Sequence, residues 1–454
     1  MKQNRSSAAN ILALAIGVWC CMSPEALAAG PLAIQGATII TVSGGVIEQG
    51  TVLMRDGVIE AIGTEIDVPG EALVIDGTGK VVMPGIIDAH NAAGMSQANE
   101  QAAVVPFLSV VDSIDPVATY FEECRRNGIT SAAVVPGNST LIGGKAAIVK
   151  TAGQYVNDML VRRDSALKLS LRPTSGSRMS QMALLRKELD AAKRALQEQD
   201  DGAGEGDEKP ADKESSAAEA GPGEDSAGDG SDEKEAEVSD ENSADDSSTG
   251  EDIGLEALKL AVQGKLPVYI YCEVAMDVAA AVKLVADYGL NPIYVLGQDC
   301  YQAAKLLAAQ GKTVILDPTL VYWKTNPRSR EDEKIELPSI YHDAGVNFIF
   351  QTTDSNARTT LGTSYFWYQA ATAVKHGIPE REAIAALTLE PAKLLGIDDR
   401  VGSIEVGKEA DLIILTGQPL DIATWVDMTI VGGQVVYERE QDEKLKRLLS
   451  PEAE

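Results

Sequence analysis

Two stretches that read only as short β-strands enclose a long middle in which strands and helices alternate, and this order leaves few folds open. The middle opens at Val81-Val82-Met83-Pro84-Gly85-Ile86-Ile87-Asp88-Ala89-His90-Asn91, an apolar run that ends in polar and small residues, as a buried parallel strand does. Further strands are expected at 129–135, 167–171, 267–273, 292–297, 313–317 and 345–354. Helices are expected between them, at 115–127 with Asp115 as N-cap and Pro116 in the first turn, and at 179–197, 277–288 and 299–310. A helix at 379–388 follows the last strand.

The flanks behave differently. Thr51-Val52-Leu53-Met54 and Val58-Ile59-Glu60-Ala61-Ile62 lie either side of Asp56-Gly57, a hairpin signal. Near the other end, Ala410–Leu415 reads as a strand, and Thr429-Ile430-Val431 pairs with Gln434–Tyr437 across Gly432-Gly433.

Two segments stand apart from any fold. Lys2 and Arg5, the apolar run Ile11–Met22 and the small residues Ala26-Leu27-Ala28 form the three parts of a secretory signal, so residues 1–28 are expected to be removed on export, to the periplasm or beyond. No later segment is long and apolar enough to span a membrane. Residues 199–252 read as an acidic disordered insertion. Positions 200–252 hold 21 Asp and Glu against 3 Lys, which is most of the net charge of −29 on 454 residues. Such a balance argues against nucleic acid or an anionic membrane as a partner. Cys124, Cys272 and Cys300 are too widely spaced for a disulfide framework and are expected to be small buried residues. The Pro136–Lys145 loop contains Gly143-Gly144-Lys145 but is no P-loop, because neither Ser nor Thr follows and no helix does.

The Asp88-Ala89-His90 strand end resembles the first barrel strand of the amidohydrolase superfamily, metal-dependent hydrolases built on a (β/α)8 barrel. The Pro136–Lys145 loop, Thr352-Thr353-Asp354-Ser355, Glu390–Ile397 and Val401–Asp411 carry the same resemblance, which is nearest to the imidazolonepropionase-like group. It implies an α/β (β/α)8 TIM-like barrel over 83–399 and a composite β-sandwich built from 29–82 and 400–440, with a tail at 441–454. It also implies hydrolysis of non-peptide or dipeptide C–N bonds by water activated on metal.

The family's ligand set departs in this chain. Ala92 stands where a second histidine belongs, the middle strand reads Tyr269-Ile270-Tyr271-Cys272-Glu273 where histidines are usual, and the next offers Gly297. The chain has 3 histidines in all. His342 lies in a short helix and His376 beside Gly377 at a helix end, where imidazoles serve local roles. What remains is at most a single Zn or Mn held by His90, Glu273 and Asp354, with Asp354 also the catalytic base. Asp88, Asn91, Tyr269 and Tyr271 are the candidate pocket residues. By strand periodicity Tyr269, Tyr271 and Glu273 share one face. They either bind a small-molecule ligand or fill the space left by the metal. Two functions therefore stand open: a divergent hydrolase, and a non-catalytic barrel that binds a small ligand or a protein partner.

Overall fold

The computed structural model describes residues 30–174, 176–204, 246–352 and 365–450. The expected signal segment 1–28 and Asp354 lie outside these residues, as does most of the acidic insertion.

Both flanks of the chain enter one sheet. It contains β1 (Leu32–Ile40), β2 (Val46–Arg55), β3 (Val58–Gly63), β4 (Leu73–Asp76) and β5 (Val81–Pro84). Both Asp56 (φ 50°) and Gly57 (φ 81°) take the left-handed conformation, as the turn between β2 and β3 requires. The chain then passes into a second sheet whose strands are β6 (Ile86–Asn91), β7 (Ile129–Val134), β8 (Ile142–Lys150), β9 (Leu160–Ser170), β10 (Val268–Val274), β11 (Pro292–Asp299) and β12 (Val314–Ile315). A separate two-stranded ribbon follows, β13 (Val321–Thr325) with β14 (Asp332–Glu336), before β15 (Phe348–Ile349) completes the second sheet. Finally β16 (Leu412–Leu415), β17 (Val426–Val431) and β18 (Gln434–Glu438) return to the first sheet, where β16 lies antiparallel to β5.

The run read as one strand from Val81 is thus two, in different sheets, with Gly85 at the crossing. Its N–H donates to the carbonyl of Asp411 at 2.9 Å, and a Cβ there would stand 2.1 Å from the Thr130 hydroxyl. Only glycine lets the two sheets meet this closely.

Seven strands of the second sheet run parallel, but β8 runs antiparallel to both β7 and β9. The connections, residues 135–141 and 151–159, are too short for the crossover that parallel pairing needs. The loop expected through Lys145 is accordingly strand from Ile142 onward. Other boundaries move as well. The first helix is Thr119–Arg126, because Asp115 closes a turn on Ala118 and takes the Val117 N–H instead of capping. The last parallel strand is only two residues long.

The insertion is also shorter than its composition suggests. A helix runs over Arg178–Gly204 and another over Asp246–Val262, so helix occupies both ends of the span expected to be disordered. The second helix is held by its far half, where Ala257, Leu258 and Ala261 are buried. That anchoring propagates helix into the polar residues before it. Residues 205–245 lie outside the described residues. The segment expected as a tail begins with a helix, Glu443–Leu449, capped by Asp442.

Two apolar layers line the second sheet. Ile87, Ala89, Ile148, Val295, Ile315 and Ile349 pack together on one face, with Tyr269 and Tyr271 among them. The opposite face packs on the helices through residues such as Ile86, Val134, Leu169 and Leu296. Cys124, Cys272 and Cys300 are buried and free, as their spacing predicts.

Candidate active site

The polar centre begins with an irregularity in β6. Strict alternation would send Asp88 and His90 to one face. The pairing register with β7 instead slips between Asp88 and Asn91, a bulge that parts them. Asp88 turns towards Tyr120 on the helical layer. The His90 ring turns inward, its centroid 5.7 Å from that of Tyr269. Both residues are fully buried.

His90 is held from two sides. Its Nδ1 lies 2.7 Å from Gln351 Oε1, and Gln351 Nε2 donates to the Leu316 carbonyl, which fixes the amide so that its oxygen must accept. His90 therefore carries its proton on Nδ1 and presents a lone pair at Nε2. Facing that lone pair at 2.8 Å is Lys168 Nζ, from near the C-terminal end of β9. Lys168 is itself fully buried, and its Nζ lies 6.0 and 5.8 Å from the ring centroids of Tyr269 and Tyr271. Burial pulls the Lys168 ammonium down to about 7, and burial followed by the adjacent lysine keeps His90 well below its ordinary range. At neutral pH the imidazole is uncharged and the amine stands near its midpoint.

Asp88 forms a second knot against the first. Its carboxylate accepts from Thr352 Oγ1 at 2.6 Å, Asn91 Nδ2 at 3.0 Å, Tyr120 Oη at 3.2 Å and the His90 N–H at 3.3 Å. Burial nevertheless outweighs these donors and raises the carboxyl to about 6. Gln351 and Thr352 follow β15, so the centre joins the first and last strands of the sheet through side chains.

The remaining candidates divide. Asn91 belongs to the Asp88 knot and also reaches Thr352 Oγ1. Tyr269 is fully buried, its hydroxyl donating to the Ala89 carbonyl at 2.9 Å, so it fills and braces the interior. Tyr271 lies in the same interior layer, nearer the strand end. Glu273 does not join them. The register slips between Cys272 and Val274, and its two oxygens pair with Arg172 at 3.2 Å and Arg178 at 3.1 Å. His342 and His376 pair locally with Glu382 and Glu336. Asp354 lies outside the described residues.

Lys168, Gln351, Tyr120 and Thr352 were not visible as site residues in the sequence. Lys168 did leave a signal: it is the single charge in the apolar run Ala166-Leu167-Lys168-Leu169, and lysines are almost never fully buried without a partner.

A family model described as "Amidohydrolase family" matches residues 271–436. An amidohydrolase from Thermotoga maritima MSB8 superposes with a TM-score of 0.72, at 23% identity, covering 90% of this chain and 100% of that one. Residues 271–436 thus carry an amidohydrolase-family match, and the chain is similar to that superfamily beyond them. Amidohydrolase tasK of Hapsidospora irregularis is 24% identical over 424 residues, 84% of this chain and 39% of the relative. The imidazolonepropionase of Rhizobium rhizogenes is 30% identical over 149 residues, 33% of this chain and 35% of the relative. The chain thus spans well under half the length of these curated relatives. These superfamily neighbours imply a TIM-barrel-type α/β fold.

The superfamily resemblance also implies a metal, and the described residues do not fit one. No group of three His, Cys, Asp or Glu side chains that could hold a metal ion occurs among them. Both nitrogens of His90 are engaged, one by Gln351 and one by Lys168. An ammonium in hydrogen-bond contact with Nε2 occupies the direction in which that nitrogen would coordinate. Asp88 and Glu273 are each saturated by other partners. What the arrangement can do without a metal is hold a proton near neutrality on Lys168, which donates to the Nε2 lone pair of His90.

Proposed function

We propose that this amidohydrolase-superfamily chain is a non-catalytic relative of metal-dependent hydrolases, an exported scaffold that binds a small molecule. The observation that carries this reading is the 2.8 Å contact of Lys168 Nζ with His90 Nε2 inside a fully buried centre. The lysine stands where a metal would have to bind, and Tyr269 fills the interior beside it.

The wider architecture belongs to the same proposal. Residues 83–399 form a closed (β/α)8 barrel, a reading supported by the contacts of His90 with Gln351 and of Asp88 with Thr352 across the first and last strands. Residues 29–82 and 400–440 form the composite β-sandwich, supported by the shared core of Ile34, Val52, Ile404, Leu412 and Ile430. Residues 1–28 serve as an export signal, on the three-part pattern of their sequence. The motifs at 136–145 and 401–411 support a likeness to the imidazolonepropionase-like group.

A second reading, a metal-independent hydrolase of C–N bonds, draws on the relatives named above and on the near-neutral Lys168 amine beside His90. Assays of purified full-length protein with added Zn and Mn, against small amides, cyclic ureides and dipeptides, separate the two. The proposal expects no turnover. Turnover lost on Lys168→Met and on His90→Ala would replace it with the second reading.

A further inference from the structure

A separate cavity lies where the helix 365–375, the loop 416–425 and the helix Glu443–Leu449 converge, on residues that take no part in the His90 centre. Its volume is about 550 Å³, within the range of sites for small organic ligands. Its floor is the buried pair Leu415 and Val426. Two walls are aromatic and fixed: Trp367 Nε1 donates to the Asn127 carbonyl at 3.1 Å, and Tyr437 Oη donates to Asp442 at 3.0 Å. At the rim stand Ile422, 98% exposed, Leu448, 81% exposed, and Trp425, 58% exposed. Three large apolar side chains exposed around one concavity are more than scattered surface residues.

The charges within it are unequal. Arg126 is neutralised by Asp442 at 2.7 Å and by Glu123. Lys444 is neutralised by Glu122 at 2.9 Å and Glu123 at 3.2 Å. Asp442 is saturated by Arg126, Tyr437 and the N–H groups of Lys444 and Leu445. Asp421, on the outer loop, accepts the Ala423 N–H. Arg439 is different: no ion pair engages it among the described residues, and its guanidinium lies 5.1 Å from the Trp425 ring centroid, facing the cavity. A cation stacked on an aromatic ring keeps its in-plane N–H donors available to a carboxylate.

We propose that this cavity binds an amphipathic anion, an aromatic or medium-chain acyl body with one carboxylate or sulfonate group. The apolar body lies between Trp367 and Trp425, and the anionic end meets Arg439. The site stands on its own residues and does not depend on whether the His90 centre is catalytic.

The test uses full-length protein and 8-anilinonaphthalene-1-sulfonate, an aromatic body with a single sulfonate. Fluorescence should report one saturable site, and decanoate should displace the probe while decanol of equal chain length does so about tenfold less well, the worth of one charge-assisted contact. Arg439→Gln should weaken decanoate and probe about tenfold and leave decanol unchanged. Trp425→Ala should weaken all three. Trp425 is exposed and Arg439 half-buried, and circular dichroism should show folding intact in both variants. Absence of a saturable site, or a site indifferent to Trp425→Ala, overturns the proposal. Equal displacement by decanol and decanoate overturns its anionic half. A concentration-dependent dimer in sedimentation, dissolved by Ile422→Asp and without probe saturation, assigns the face to a second copy and overturns it also.

Discussion

Lys168 is a fully buried amine in hydrogen-bond contact with His90. Its amine meets a histidine lone pair and two aromatic rings, with no carboxylate partner among the described residues, and burial lowers its pKa. Because its pKa falls from 10.5 to about 7 on folding, the unfolded chain binds more protons between those values, and stability must rise as pH increases from about 7 to 10.5. The full effect is on the order of 5 kcal/mol at ~1.4 kcal/mol per pKa unit. Urea unfolding of wild type and Lys168→Met across that range should give a stability difference that moves in favour of wild type by several kcal/mol with rising pH. A difference that stays flat would mean that the amine is already charged in the folded state. Asp88 runs the opposite way. Its carboxyl is raised to about 6 from 3.8, so it contributes a loss of stability as pH climbs through that window, and Asp88→Asn should remove it. In the sequence Asp88, His90 and Asn91 stand out through their motif, and the structure brings all three into one buried polar centre. Their separation onto two faces was not legible, because a bulge is set by hydrogen-bond register and leaves no trace in periodicity. Glu273 was misread for the same reason, since period two holds only while the register does.

Among the elements, regularity marks what could be read from sequence. Parallel strands with complete crossovers, such as β10 and β11, were found within a residue or two, since each carries a buried apolar run with its own helix. β8 was missed because its glycines, Gly143 and Gly144, resemble a loop, while the small size of Gly144 lets Leu108 pack against the strand. The helix Glu443–Leu449 is only seven residues long, too short for its three leucines to establish a helical period. It is held by Asp442, which accepts two N–H groups of its first turn and pairs with Arg126, and whose carboxyl is kept well below the usual range chiefly by that guanidinium. Asp442→Ala removes cap and ion pair together and should cost about 2 kcal/mol. Thermal unfolding should show the loss, and protease should reach the C-terminal residues sooner. An unchanged midpoint would mean that the helix is not held there. Residues 205–245 are polar and acidic in sequence, and loop-closure entropy grows slowly with length. Their replacement by a short Gly/Ser linker should leave the midpoint within about 3 °C, equivalent to less than ~1 kcal/mol. A larger drop would mean that they pack against the rest of the protein.

At the scale of the molecule, two sheets meet at the glycine crossing Gly85, and side chains link the first and last strands of the second sheet. At its centre is a network of neutral and near-neutral groups, each engaged by a protein partner. Lys168, Gln351 and Tyr269 hold by hydrogen bonds and bulk the region in which the superfamily resemblance implies a coordinated ion. The central claim is that this replacement excludes tight metal binding at His90. It is tested most directly by elemental analysis of purified full-length protein, dialysed after exposure to excess Zn and separately to excess Mn, beside the His90→Ala variant. The account predicts far less than one ion per chain in both proteins. One or more ions per chain in the wild type, lost in His90→Ala, would contradict it.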